Sequence, residues 1–190
     1  MKHSAIGHGS FLLAFLMLFS VFLISLPSQA YADSATEINI GVTETLKRFR
    51  KEVPGGNEFL QKAQGVLVFP SVIKAGFVVG GEYGEGALLI DGKTVQYYST
   101  ASASIGFQLG AQSKSIVVVF LTKQALEKFR TSKGWEAGVD GSVALIKWGM
   151  GKDINTVDIT DPIVGFVFSN EGLMYNLTLE GSKYTKIDRK

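Results

Sequence analysis

Lys74 is the only charged residue between Ala63 and Gly81, in an otherwise apolar, β-branched stretch, AQGVLVFPSVIKAGFVVGG. A lysine in such surroundings either lays its stem on apolar surface with its head in water, or meets an anion. Base rates for lysine favour the first reading. Four further cations, Lys47, Arg48, Arg50 and Lys51, fall within five residues. At a helix C-terminus they complement the dipole; on a basic amphipathic helix they rest on anionic headgroups. Four exceed what the dipole needs, so both readings stand. Glu82, Glu85 and Asp140 are candidates for paired carboxylates, though sequence alone does not bring them together. Asp153, Asn155, Asp158 and Asp161 share one polar stretch, but Val157 stands where a calcium ligand is wanted and no glycine follows. A solvated acidic loop is expected there.

Some chemistry is excluded by absence. The only histidines are His3 and His8, and there is no cysteine. Beyond residue 8 the chain therefore lacks His-based nucleophile triads, His-ligated zinc and the usual general base near neutral pH. No catalytic residue, metal ligand or cofactor site is expected. Gly80, Gly81, Gly84 and Gly86 invite a nucleotide-loop reading, but Ala87–Ile90 continues as strand where a helix would have to open, and no G-K-[ST] occurs. A tight turn with close strand packing is the expectation. Trp135, Trp148, Tyr97 and Tyr98 are expected in core or rim rather than as a ligand platform, and the Asn176-Leu177-Thr178 sequon is incidental within a strand.

These residues need elements to hold them. Ser34–Val53 reads as a helix: Ile38, Val42, Leu46, Phe49 and Val53 form one stripe, with Ser34 and Glu37 as a capping box and Pro54-Gly55-Gly56 as a stop. Asn57–Gln64 is expected as a short helix capped by Asn57. Ala63–Ile90, broken by Pro70, reads as two buried strands joined at a turn. Asp91-Gly92 turns into a strand over Thr94–Thr100. Ala101–Gln112 predicts a further strand and Ser115–Thr122 the most hydrophobic one. Thr122 caps a helix over Lys123–Thr131. Trp135–Trp148 holds another strand, Ile163–Ser169 and Leu173–Leu179 pair through Asn170-Glu171-Gly172, and Lys183–Ile187 is placed at a sheet edge. The fold class expected is α+β: a mainly antiparallel, strongly curled or barrel-like sheet with N-terminal helices and one mid-chain helix.

The first 32 residues are set apart. Lys2 is followed by an apolar run, Phe11–Leu26, then Pro27 and the small-residue sites S-Q-A and A-Y-A. This is the pattern of a secretory signal peptide cleaved after Ala30 or Ala32, leaving a single domain over 33–190. The run is a little short of the ~20 residues a membrane span needs. With 19 basic and 17 acidic residues the net charge is +2, too small a field to draw nucleic acid or a membrane globally. Any electrostatic targeting must be local.

GVLVFPSVIKAGFVVGGEYGEG, ASASIGFQLGAQS, VVVFLT, WEAGVD and NEGLMYNLTLEGSKYTKI together resemble the SYLF lipid-binding family, roughly over residues 35–187. The resemblance implies a non-catalytic module that recognises acidic phospholipid at a membrane surface through an N-terminal amphipathic helix. Carried onto this chain, Lys47, Arg48, Arg50 and Lys51 would meet headgroups, with Lys74 joining from the β-turn. Export to the periplasm or exterior argues for a bacterial setting, with phosphatidylglycerol or cardiolipin as ligand, and against actin-regulating or endosomal roles. The alternative is an envelope structural protein that binds a protein partner through an exposed edge strand. No nucleic-acid partner is expected.

Overall fold

Helix α1, Ala35–Glu52, forms where its apolar stripe predicts. The computed structural model describes residues 33–106, 112–145, 161–169, 172–173, 179 and 181–190. The segment expected as a signal peptide, the stretch up to residue 160 expected as an acidic loop, Trp148, Asn170, Glu171, Asn176 and most of the strand expected at Leu173–Leu179 lie outside them. Ser34 Oγ accepts from the Glu37 amide at 3.2 Å while Ser34 N donates to Glu37 Oε2 at 2.8 Å, a reciprocal cap on two otherwise orphaned amides. Ile38, Val42, Leu46, Phe49 and Val53 are all buried.

Helix α2, Gly56–Lys62, is capped by Gly55 at φ 72°, not by Asn57. The left-handed residue after Pro54 turns the chain so that the helix starts one residue early.

Strand β1 runs unbroken from Gly65 to Ile90, where two strands and a turn were expected. Its first half pairs with β3, Gln112–Phe120, and its second with β2, Lys93–Gly106. Pro70 does not break it, because the β3 register shifts between Phe69 and Val72, where a missing amide costs no ladder bond. Ser115 Oγ donates to the Pro70 carbonyl at 2.7 Å. Gly84 and Gly86 serve close packing rather than a turn. A Cβ on Gly86 would lie 2.0 Å from the Val68 carbonyl oxygen, and one on Gly84 2.5 Å from that of Ser71. The second half of the strand thus lies against the first.

Asp91 (φ 51°) and Gly92 (φ 73°) make the expected hairpin turn. Ala101–Gly106 continues β2 instead of forming a separate strand. Helix α3, Lys123–Thr131, is capped by Thr122 as read from sequence. Of the strand expected over Trp135–Trp148, the described residues form β4, Trp135–Glu136, and β5, Ala144–Leu145. Then follow β6, Ile163–Ser169, β7, Gly172–Leu173, and β8, Lys183–Ile187.

The sheet order is β4-β8-β2-β1-β3-β6-β5, with β7 also on β6. Pairing is antiparallel except between β5 and β6. β8 is not the edge strand expected: Trp135 and Glu136 pair with Tyr184 and Lys183 on its far side. The architecture is α+β, with a mostly antiparallel sheet curled into a half-barrel.

Alternation along the strands separates two cores. On the outer face, Val66, Val68, Ala87, Val117, Val119 and Phe166 pack beneath α1 and α2. Phe49 meets Phe166 edge-on at 4.8 Å, and full burial of such a side chain stabilises by about 1.5–3 kcal/mol. On the inner face, Leu67, Phe69, Leu88, Tyr98, Val118 and Phe120 close around Leu126 and Phe129 of α3 and Trp135.

Candidate functional site

The outward face of α1 carries the exposed cations. With Ile38, Val42 and Phe49 turned to the sheet, a 3.6-residue period points Lys47 and Lys51 outward and Arg50 to the flank; all three are exposed. Ile40, 60% exposed, stands on the same stripe two turns before Lys47. Glu44 moderates this face, lying 4.0 Å from Lys47 between side chains that are both mostly in water, an ion pair of little energy. Arg48 has a different role. It bonds Glu52 at 3.2 Å and lies 5.2 Å over the Phe168 ring, covering the end of the outer core.

Lys74 does not join them. Val72 belongs to the inner core, so Lys74, two residues on, points away from α1. It also departs from the expected strand-end lysine with its head in water: its side chain is 25% exposed, 4.0 Å from Glu82 Oε1. Glu82 also takes a 2.5 Å bond from Lys114, whose side chain is 5% exposed. Ser102 Oγ donates to the same carboxylate at 3.4 Å. Sequence reasoning missed Lys114, although its spacing to Ile116, Val118 and Phe120 marks an inward position on a period of two.

Nearby on the outer face, Glu85 is held by the chain terminus. Arg189 Nε donates to Glu85 Oε2 at 2.7 Å and its Nη2 bonds Oε1, while Tyr83 donates to Oε1 at 2.7 Å. Burial by itself would raise the Glu85 carboxyl, but the guanidinium and the phenol together hold it below its usual range. The Ala35 amide donates to the Lys190 carbonyl at 3.3 Å, so the C-terminal residues clasp the start of α1. The candidate carboxylates do not pair with one another: Glu82 faces lysines, Glu85 an arginine, and Asp140 accepts from the Glu136 amide at 2.7 Å. Tyr98 and Trp135 are core: the Tyr98 ring lies tilted on Phe129 at 4.9 Å and the Trp135 ring meets it edge-on at 5.6 Å.

A shallow cleft of about 420 Å³ beside α3 is lined, among the described residues, by Gln124, Lys128, Trp135, Asp140 and Ser142. Lys128 there bonds the Asp140 carbonyl. Among the described residues no helix is long and apolar enough to cross a membrane, and no three His, Cys, Asp or Glu side chains converge as metal ligands.

The sequence model of a family described as "Ysc84: Las17-binding protein actin regulator" matches residues 101–189, from within β2 to Arg189. "SH3 domain-containing YSC84-like protein 1" of Bos taurus is 29% identical over 130 residues, which is 65% of this chain and 37% of that protein. The proteins of the same description from Rattus norvegicus and Mus musculus give the same figures. The chain thus spans little more than a third of the length of these relatives. The SYLF resemblance read from the sequence is found again over this span, and α1 precedes it.

Proposed function

We propose that this chain, whose residues 101–189 are Ysc84-type (SYLF) sequence, is an exported, non-catalytic module that binds acidic phospholipid at a membrane surface. The first 32 residues direct export, and the domain that acts is 33–190. The contact is the outward face of α1, where Lys47, Arg50 and Lys51 meet headgroup phosphates and Ile40 enters the interface. The observation that carries this reading is the exposure of these three cations and an isoleucine on a helix whose other face is fully engaged with the sheet. Arg48 supports the helix from beneath and is not part of the contact. Lysine and arginine near an anionic surface contribute about 1 kcal/mol each, so attachment is peripheral and reversible.

Co-sedimentation with vesicles tests this. The protein is expected to pellet with phosphatidylglycerol vesicles at low salt, to be released at high salt, and to ignore phosphatidylcholine. A Lys47→Ala/Arg50→Ala/Lys51→Ala variant should lose most of the binding while keeping its fold by circular dichroism. Equal behaviour on both vesicle types would sink the reading and favour the protein-partner alternative.

A further inference from the structure

The cleft beside α3 holds polar groups that the fold itself leaves unused. The Trp135 ring packs into the inner core against Phe129 and Tyr184 and is 2% exposed. Its indole N–H nevertheless makes no hydrogen bond among the described residues, whereas a buried tryptophan N–H ordinarily finds an acceptor. A Cβ on Gly141, which also lines the cleft, would lie 2.9 Å from Trp135 Cζ2 and 3.7 Å from Cε2. Nε1 is bonded to Cε2, so the donor sits on the ring edge turned to the cleft.

Three further groups stand around it without partners. The Gln124 amide, the Ser142 hydroxyl and the Asp161 carboxylate line the same cleft. None forms a side-chain hydrogen bond or ion pair among the described residues. Lys128 and Asp140 are instead engaged in the wall: the ammonium bonds the Asp140 carbonyl, and the Asp140 carboxylate accepts from the Glu136 amide at 2.7 Å. The Asp140 amide closes the same turn onto the Glu136 carbonyl at 2.9 Å. The wall is thus set before a ligand arrives, which lowers the cost of binding.

We infer that this cleft binds a neutral sugar, one hexopyranose ring or the end of a short saccharide, with Trp135, Gln124, Ser142 and Asp161 as its hydrogen-bonding ligands. The indole N–H only donates, the carboxylate only accepts, and the amide and hydroxyl do both. Sugar hydroxyls donate and accept, so one ring meets all four, while Ala125, Pro162 and Ile163 offer apolar surface to its C–H face. Asp140 and Asp161 against the single lysine give the cleft an acidic balance among the described residues, which disfavours an anion such as phosphate. An ammonium ligand would leave the indole N–H unmet. An amino acid would need a free cation for its carboxylate, and Lys128 is already bonded. The volume of about 420 Å³ falls in the lower part of the ~300–1,000 Å³ usual for small-ligand sites. Nothing in this inference rests on the membrane contact through α1.

The test follows the indole N–H signals of the purified full chain by two-dimensional NMR, in a polyoxyethylene detergent that carries no sugar. The chain has two tryptophans, and the signal that persists in Trp148→Phe is that of Trp135. Glucose, galactose, mannose and N-acetylglucosamine are titrated in turn, beside glycine and inorganic phosphate. With at least one of the four sugars the Trp135 signal is expected to move and saturate. Asp161→Asn should weaken binding of that sugar about tenfold, as loss of a hydrogen bond to a charged group does. Gln124→Ala should weaken it severalfold. Both side chains are exposed, so the core stays intact, and a merely structural role for them predicts unchanged affinity. The Lys47→Ala/Arg50→Ala/Lys51→Ala variant should bind the sugar as the wild type does, so failure of the membrane reading leaves this result distinct. Saturation by glycine or phosphate but by no sugar, no saturation at all, or affinity unchanged in both cleft variants overturns the inference.

Discussion

Glu85 shows how little of a side chain's role is legible from its neighbours in sequence. As one of several acids near glycines it resembles half of a catalytic pair, yet its partner, Arg189, is more than a hundred residues away. Lys74 was legible as an anomaly because its surroundings are apolar, but its partner Glu82, and the Lys114 that shares that carboxylate, come from the second half of β1 and from β3, a meeting fixed only by register. The Glu85 clasp carries a pH signature. Its folded carboxyl lies below the ordinary value of 4.5, so its stabilisation is fully present above that value and is lost as pH falls below it toward the folded value. Asp33 acts in the opposite sense, since burial, then Glu85, raises it. Arg189→Ala should cost about 1.5–3 kcal/mol at neutral pH, nearer the lower figure because the guanidinium is 19% exposed. The gap from wild type in urea unfolding should narrow as the pH is lowered below 4.5 and the wild-type carboxyl begins to take up its proton. A gap of constant size across that range would show that the clasp carries no such linkage.

Elements were read well where local chemistry decides them. The capping box at Ser34, the Thr122 cap and the Asp91-Gly92 turn each depend on residues within a few positions, and all three form. The long β1 strand was misread because Pro70 and the glycines punctuate most chains, whereas here a register shift and a close strand approach absorb them. Likewise β8 appeared terminal until the two residues of β4 covered its far side. The close approach is testable by substitution. Gly86→Ala places a methyl group against a backbone oxygen that cannot rotate away, and should cost more than about 3 kcal/mol or prevent folding. Gly81→Ala meets nothing closer than 3.6 Å and should fall within about 1 kcal/mol of wild type. Thermal unfolding of the two variants side by side separates close packing from a general intolerance of alanine in the strand.

The unit over residues 33–190 is, in its described residues, a curled sheet with two unlike faces. One is covered by α1 and α2, whose outward surface is exposed among the described residues; the other encloses an interior that runs from aromatic to charged. The fold class followed from composition and periodicity, since short apolar runs of strand type outnumber the helices. The charged end of the interior did not, because it assembles from three strands that only the sheet order brings together. The orientation on a membrane is the central claim, and the absence of cysteine permits a direct measurement. A polarity-sensitive fluorophore is attached to Ile40→Cys in one variant and to Val139→Cys in another. Val139 is 73% exposed in the turn after β4, away from α1. On phosphatidylglycerol vesicles the Ile40 label should shift to the blue and the Val139 label should not. A shift at Val139 with none at Ile40 would contradict docking through α1.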